Sequence, residues 1–388
     1  MRSTYVPTNP AEAAKDAPRR PALPGYSDLA TRPPLVDVLL VGFDFGTNAS
    51  SLKAAYAGSA ELVTDAIVPT AVGYAKDGIV ENFLPGNAKV LYGELANKNR
   101  IYLRMVAPMV DGVVQDMAAA QDFARYLRSE ILPPTEVELR AVVGLPATAD
   151  RAAREGLAHA LGELFDKIII IPEPFLAALG WRDETRLGEP NYVDPVRNSL
   201  FVDIGAGTTD ACLVQGYFPT GEDQVSVPFA GDRVDQLLQE AIRREYPDVV
   251  LSLPKVRELK EQYSFVGRSE APVTVNLVVG GKLRRLELAA VIGQSCEQVR
   301  QKAFECVKTV FAKASTDTVG DLLQNIVLTG GGSCIRNIDT ELQRLLSDEG
   351  YEKPRVQTVG ESHKHLVSRG ALCAARQARE DQWISLAR

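Results

Sequence analysis

The sequence predicts an α/β fold of two duplicated domains, each with a smaller subdomain, around a central cleft. Two observations support this prediction. A hairpin that turns through glycine occurs twice, at residues 44–48 and again at residues 203–210. Each copy follows an apolar, strand-like run and is followed by alternating strand-like and helix-like segments, which is typical of α/β domains that arose by internal duplication.

Each hairpin tip suits a polyphosphate and its magnesium ion. A strand that reaches Asp, turns through Gly and returns through Thr presents a carboxylate, backbone N–H groups and a hydroxyl at one tip. Two facing tips could bind a nucleotide from both sides. The candidate residues of the two tips are Asp44, Gly46, Thr47 and Asn48 in the first and Asp203, Gly205, Gly207, Thr208 and Thr209 in the second.

Composition narrows the possible functions. A length of 388 residues is typical of two or three domains, and a hydrophobic content of 45% is enough for substantial cores. A net charge of −7 argues against direct binding to nucleic acid or to an anionic membrane. The five scattered cysteines contain no Cys-x-x-Cys motif, and no apolar run approaches the roughly 20 residues that span a bilayer. We therefore expect a cytoplasmic protein without a direct membrane anchor.

The chain divides into a tail and two domains. Residues 1–35 are rich in Pro, Ala and charge, so we expect a flexible tail. The expected domains are domain I at 36–200 with a small inserted subdomain at 67–106, domain II at 201–365 with a small subdomain at 232–290, and a return to domain I at 366–388.

Hydrophobic periodicity and turn residues predict the individual elements. In domain I, Pro146 ends a strand and Glu173-Pro174 opens a helix. The expected strands are 36–43, 51–56, 61–63, 139–145 and 167–171, and the expected helices are 90–97, 117–131, 151–165 and 175–180. In domain II the expected helices are 234–246, 254–263, 289–314 and one after 337, and the expected strands are 273–279, 282–288 and 325–329.

Five features in a fixed order indicate function more strongly than either hairpin alone. They are the first hairpin, the strand before Glu173-Pro174, the second hairpin, the helix with Lys260-Glu261, and the strand ending in three glycines from Gly330. This ordered set resembles the actin, Hsp70 and sugar-kinase superfamily of ATPases over nearly all of residues 36–375.

The resemblance implies ATP and Mg²⁺ as cofactors. It implies that Asp44 and Asp203 hold the metal through its waters, that Glu173 orients the attacking water, and that Asp203 also serves catalysis. The plainer interpretations are turn caps for the two Asp residues and a helix-dipole charge for Glu173.

The same resemblance implies a site for the adenine and ribose. The implied residues are Gly330, Gly331, Gly332 and Ser333 at the end of the buried strand, Lys260 and Glu261 on a helix, and Gly231 and Asp232 after an apolar strand. The alternatives are a strand-to-helix turn for the glycines and a solvated helix face for the Lys-Glu pair.

The chain resembles the bacterial actins more than the other branches. We expect no chaperone module in the residues after the ATPase core. Residues 108–114 and the Glu173-Pro174-Phe175 segment look like those of bacterial actins. The stretches that resemble the magnetosome-organising branch are 222–225, 229–231, 260–267 and 323–327.

This resemblance implies a cytoskeletal ATPase whose ATP-dependent filaments align or position magnetosomes and turn over on hydrolysis. The implied partners are copies of the chain itself and a cargo adaptor. A plasmid-segregating or cell-shape filament and a non-polymerising small-molecule kinase remain as alternatives. His363 and His365 are expected in a surface loop rather than at a metal site.

Overall fold

The computed structural model describes residues 37–386, apart from 111, 134–135, 163 and 270–271. The predicted tail at residues 1–35 lies outside this range. The strands are β1 (Val38–Phe45), β2 (Ala49–Tyr56), β3 (Thr64–Pro69), β4 (Val72–Ala75), β5 (Val90–Tyr92), β6 (Leu103–Val106), β7 (Met109–Val110), β8 (Val113–Val114), β9 (Glu138–Leu145), β10 (Lys167–Pro172), β11 (Ser199–Ile204), β12 (Thr209–Val214), β13 (Gln224–Val227), β14 (Thr274–Val279), β15 (Lys282–Glu287), β16 (Ile326–Thr329), β17 (Val356–Thr358) and β18 (Ile384–Ser385).

The helices begin where the sequence provides caps or prolines. Asp116 and Asp150 accept hydrogen bonds from the first turns of the second and third helices, and a proline opens the fourth and the sixth. The helices are α1 (Gly93–Lys98), α2 (Met117–Glu130), α3 (Arg151–Leu161), α4 (Glu173–Trp181), α5 (Gly231–Glu245), α6 (Leu253–Tyr263), α7 (Ala289–Lys313), α8 (Val319–Leu323), α9 (Ile338–Asp348) and α10 (His363–Gln377).

The two large sheets share one topology. Five strands of the first sheet run in the order β3-β2-β1-β9-β10, with β18 added beyond β10, and the second sheet runs β13-β12-β11-β16-β17. In each sheet the first three strands along the chain pair with one another antiparallel. On the other side of the hairpin, two further strands pair parallel to its first strand and to each other. The repeat seen in the hairpins therefore extends to the whole sheet, and the predicted α/β class is confirmed.

Helices α4 and α10 lie between the two sheets. One face of this pair packs on the first sheet, where Leu176 and Leu372 belong to the same buried apolar cluster as Leu40. The other face packs on the second sheet, where Ala178 and Phe201 share a second buried cluster. The central strands are thus covered on both faces, which explains why β1 is apolar along most of its length.

Two predicted elements of the first half are wrong. The strand expected at 61–63 begins instead at Thr64, because Leu62 and Val63 lie in the connecting loop and are 40% and 43% exposed. The helix expected at 90–97 begins only at Gly93, since residues 90–92 form β5 and pair with β4. Gly93 has φ +54°, and this left-handed residue separates strand from helix.

The histidines expected in a surface loop are also placed differently. His363 and His365 lie in the first turn of α10 and are half-buried. His363 Nδ1 lies 2.8 Å from the carbonyl oxygen of Gly360, and His365 Nδ1 lies 3.4 Å from Asp65. These contacts anchor the start of the helix.

Among the described helices, none is both long enough and apolar enough to cross a membrane.

Candidate nucleotide site

The first hairpin joins β1 to β2 and carries Asp44 near the end of β1. A Cβ atom at Gly46 would lie 2.6 Å from the carbonyl oxygen of Ala49, so the turn requires glycine. Thr47 and Asn48 complete the turn between the strands. The predicted glycine turn thus places the Asp44 carboxyl group at the base of the tip.

The second hairpin joins β11 to β12 in the same way. Asp203 lies opposite Asp210 across the antiparallel pair. The turn is closed by the Gly205 N–H, which donates to the carbonyl oxygen of Thr208 at 3.0 Å. The Gly205 carbonyl in turn accepts a 3.2 Å hydrogen bond from the N–H of Gly231, the first residue of α5.

The Asp203 carboxyl group of the second hairpin lies close enough to Asp44 of the first to raise its pKa. Burial raises the pKa of Asp44 to about 7, and the negative charge of Asp203 adds to this shift. Burial also raises the pKa of Asp203 to about 7, with a further contribution from Asp210. Protein surrounds these side chains on most sides, yet each residue keeps a partly exposed edge. The carboxyl groups of Asp44 and Asp203 therefore lie near each other and stay partly accessible to solvent.

Glu173 joins this group from a third direction. It is the first residue of α4, directly after β10 ends at Pro172. Its side chain lies over Gly144 of β9, where a Cβ atom would come within 2.9 Å of Glu173 Cγ. Burial raises the pKa of Glu173 well above its usual value. The negative charges of Asp44, Asp203 and Asp210 raise it further.

These surroundings suit a hydrated divalent cation. Every charged group that shifts the pKa of Asp44, Glu173 or Asp203 is itself a carboxylate, so bound positive charge would relieve their repulsion. Magnesium prefers oxygen ligands and commonly keeps several of its waters. Within the described residues, no cluster of three or more Asp, Glu, His or Cys is arranged to hold an ion directly. A cation held through waters fits this donor set.

Backbone N–H groups at both tips are available to a ligand. In the described part of the chain, the N–H groups of Ala206, Gly207 and Thr208 donate to no acceptor. The same holds for Gly46 and Asn48 in the first tip. Successive unpaired N–H groups in a tight turn form a concave anion site. The tips can therefore accept phosphate oxygens on either side of the cleft.

The glycine turn after β16 packs against the second hairpin. Gly330 has φ +73°, and a Cβ atom there would overlap the Asp203 carboxylate and lie 2.5 Å from the Ile204 carbonyl oxygen. A Cβ atom at Gly332 would overlap the Ile204 side chain. These two glycines therefore let β16 and β11 approach closely at the base of the second tip.

The rest of this turn is open. Residues Gly331–Cys334 form one turn of 3₁₀ helix, in which the Ser333 hydroxyl donates to the Gly330 carbonyl at 2.7 Å. A Cβ atom at Gly331 would meet nothing within 4 Å. Gly331 therefore offers an exposed, side-chain-free surface on which a flat ring could lie.

The predicted Lys-Glu pair is divided between the interior and the solvent. Lys260 Nζ donates to the Gly231 carbonyl at 2.9 Å and lies 2.7 Å from the carboxylate of Asp235. Its side chain is only 15% exposed. Glu261 and Asp232 are exposed. The Lys260 charge is thus used within the protein, next to the second hairpin.

Two acidic residues were not predicted. Asp210 accepts hydrogen bonds from the Thr208 hydroxyl at 2.7 Å and from Gln224 at 3.0 Å, and the hairpin register that pairs it with Asp203 could have indicated it. Asp235 lies fully buried on the apolar stripe of α5 beside Val234. The local sequence does not distinguish Asp235 from a surface acid.

A separate cavity of about 860 Å³ lies between the end of α4, residues 183–195, the starts of β16 and β17, and α10. Trp181, Tyr192 and Arg369 are among its lining residues. No residue of either hairpin lines it, so this cavity is distinct from the site described above.

The model of the MreB/Mbl protein family matches residues 43–367, which include both hairpins, Glu173 and the glycine turn. The chain belongs to the MreB/Mbl family. It is 29% identical over 360 residues to actin-like protein MamK of Paramagnetospirillum magneticum, an alignment that covers 90% of this chain and 95% of that relative. The predicted resemblance to the magnetosome-organising bacterial actins is confirmed.

Solved structures agree with this assignment. The fold is similar to that of a MamK double helical filament, with a TM-score of 0.77, 28% identity, and coverage of 88% of this chain and 100% of the other. A non-polymerising MamK mutant bound to AMPPNP gives a TM-score of 0.67 at 28% identity, covering 88% of this chain and 99% of the other. The predicted actin-like fold is therefore confirmed.

Proposed function

We propose that this chain is an actin-like ATPase that binds Mg-ATP between two lobes and assembles with copies of itself into filaments. The observation that carries the proposal is the pair of glycine-turn hairpins on two sheets of the same topology, with Asp44 and Asp203 close enough for their charges to interact. The similarity to a MamK filament and to an AMPPNP-bound MamK mutant supports assembly and nucleotide binding.

In this proposal residues 36–200 and 201–365 act as the two lobes. The unpaired N–H groups of the tips bind the phosphate oxygens, and Asp44 and Asp203 hold Mg²⁺ through its waters. The bound cation would supply positive charge beside the phosphates. The purine would lie on the exposed Gly331. The other residues predicted for the adenine and ribose would surround it, namely Gly330, Gly332, Ser333, Gly231, Asp232, Lys260 and Glu261.

Glu173 is the proposed group that orients the attacking water. Its carboxyl group projects into the cleft from the start of α4, beside both hairpin carboxylates. An ionised carboxylate can accept a hydrogen bond from water and direct the oxygen towards the γ-phosphorus. Burial and neighbouring carboxylates raise the pKa of Glu173, so positive charge that enters the cleft would favour loss of its proton.

Nucleotide state would control assembly through the cleft. A triphosphate that contacts both tips favours the closed arrangement of the lobes, and hydrolysis removes that link, so filaments turn over. The likeness to MamK leads us to propose that the filaments align or position magnetosomes through an adaptor protein.

The Glu173→Gln variant tests the central step. It keeps the size of the side chain over Gly144 but removes the ionisable group, so Mg-ATP binding and sedimentable filaments should remain while phosphate release falls roughly 100-fold. Filaments should then persist after assembly. Unchanged phosphate release would remove Glu173 from this role.

The same assay separates filament assembly from the kinase alternative. The parent protein should form ATP-dependent filaments visible by electron microscopy. A protein that stays unassembled at all concentrations and produces ADP only when a metabolite is added would contradict the proposed function.

A further inference from the structure

Asp235 connects α5 to α6 next to the second hairpin. It is the fifth residue of α5 and is fully buried. Its two carboxylate oxygens lie 2.7 Å from Lys260 Nζ and 2.9 Å from Arg257 Nε, and both cations belong to α6. The contact with Lys260 is an ion pair whose angles fall outside those of a hydrogen bond.

Lys260 continues this connection towards the hairpin. Its ammonium group donates to the carbonyl oxygen of Gly231 at 2.9 Å. In the same turn of α5, the N–H of Gly231 donates to Gly205 at 3.2 Å and the N–H of Asp232 donates to Ala206 at 2.8 Å. The start of α5 thus supports the turn that presents the unpaired N–H groups of the second tip.

From this chain of contacts we propose that Asp235 is a positioning residue for the nucleotide site, acting through Lys260 and the start of α5 to fix the turn of the second hairpin. The expected consequence is tighter binding of the nucleotide phosphates, and this part of the inference rests on the proposed function. Within the described residues, the Asp235 carboxylate contacts Lys260 and Arg257 and makes no direct contact with the second hairpin.

The physical reason is the cost of an unpaired buried charge. Lys260 is nearly enclosed, and Asp235 is the carboxylate within ion-pair distance of it among the described residues. Replacing Asp235 by Asn leaves the Lys260 ammonium group with the neutral Gly231 carbonyl as its hydrogen-bond partner among the described residues, and burying such a charge without a counterion is unfavourable. Lys260 should then move towards water, and the first turn of α5 should lose its support.

Amide hydrogen exchange of the nucleotide-free protein tests this directly. In Asp235→Asn, the amides of Gly205, Gly231 and Asp232 should exchange roughly tenfold faster, since their hydrogen bonds hold the supported turn. The amide of Thr70, which supports the first hairpin, should be unaffected. Rates at the second hairpin within about twofold of the parent would overturn the proposal.

Glu341→Gln is the matched control. Glu341 also forms a largely enclosed ion pair, 2.8 Å from Arg300, and it lies on α9 away from both hairpins. This variant should lower the melting temperature without a selective change at Gly205, Gly231 or Asp232. If both variants accelerate exchange at the second hairpin equally, the effect is general destabilisation and the proposal fails.

A mutant cycle tests the route through Lys260. Mg-ATP affinity, measured by competition with a fluorescent ATP analogue, should fall roughly tenfold in Asp235→Asn and in Lys260→Gln, and little further in the double variant. Full additivity would contradict action through Lys260. Lys260→Gln leaves Asp235 paired with Arg257, so it keeps the test available if Asp235→Asn does not fold.

The exchange measurement and the binding measurement test the two proposals separately. If the parent protein does not bind Mg-ATP, the proposed function is wrong, while the exchange result still decides whether Asp235 supports the second hairpin.

Discussion

The two hairpins have nearly the same local design but different supports. The first is supported by the strand next to it, where the N–H of Thr70 donates to Asn48 at 3.0 Å and the hydroxyls of Thr70 and Ser50 pair at 2.8 Å. The second is supported by a helix start, by a glycine turn and by the Thr209 hydroxyl, which donates to the Phe229 carbonyl at 2.7 Å.

This difference shows that a repeated sequence motif does not imply repeated surroundings. The first tip is connected to the end of β3, which leads directly into the small three-stranded sheet of β4, β5 and β6. The second tip is connected to α5 and α6 through Lys260. We therefore expect perturbations of the second hairpin to affect more of the protein than equivalent perturbations of the first.

The largest expected effect comes from Gly330→Val. The new side chain would overlap the Asp203 carboxylate and occupy a residue with φ +73°. Overpacking and left-handed strain together should lower the free energy of unfolding by about 4 kcal/mol. Urea denaturation of the nucleotide-free protein measures this change.

Gly331→Ala provides the neighbouring control for stability. A Cβ atom at Gly331 meets nothing within 4 Å, and its φ is not in the left-handed region. Its free energy of unfolding should stay within about 0.5 kcal/mol of the parent. A loss as large as that of Gly330→Val would show that close packing on the second hairpin is not the cause.

An intermediate effect is expected from Asp203→Asn and depends on pH. Because the pKa of Asp203 is raised to about 7 in the folded protein, the folded state binds more protons than the unfolded state between about pH 4 and about pH 7. In the absence of Mg²⁺, the free energy of unfolding of the parent should therefore fall as pH rises through this window.

Asp203→Asn should show a smaller fall. It should be about as stable as the parent at low pH and more stable by about 2 kcal/mol above pH 7. Urea denaturation at a series of pH values, with a chelator present, gives both curves. Parallel curves for parent and variant would mean that Asp203 is ionised normally, and its carboxyl group would then be less buried than described.

The smallest expected effect comes from Thr70→Val in the support of the first hairpin. The variant loses the buried hydroxyl pair with Ser50 but keeps the backbone hydrogen bond to Asn48, so stability should fall by about 1 kcal/mol. Amide exchange should rise near Asn48 and not at Gly231. Faster exchange at both hairpins would show that their supports are coupled, contrary to the comparison above.

Much of the site was predictable because its chemistry is local. A strand, an Asp and a glycine turn define a hairpin tip within a few residues, so Asp44, Gly46, Asp203 and Gly205 could be chosen from their order in the chain. The start of α4 at Glu173 was predictable for the same reason, since proline and a carboxylate mark a helix start.

Other features depended on contacts between distant segments. The strand at 61–63 was misplaced because sheet pairing, and not the apolar residues Leu62 and Val63, determines where β3 begins. The start of α1 was misplaced because residues 90–92 pair with β4 as the strand β5, and this pairing joins segments that are apart in the sequence. The charge on Lys260 appeared free to reach a ligand until its contact with Asp235 was known.

The sequence by itself determined the duplicated hairpins and the order of the site residues, because each of these depends on neighbours along the chain. Only the tertiary structure decided which carboxyl groups meet across the cleft and how each tip is supported. Those properties depend on burial and on distances between segments far apart in sequence, such as Asp44 with Asp203 and Gly330 with Ile204.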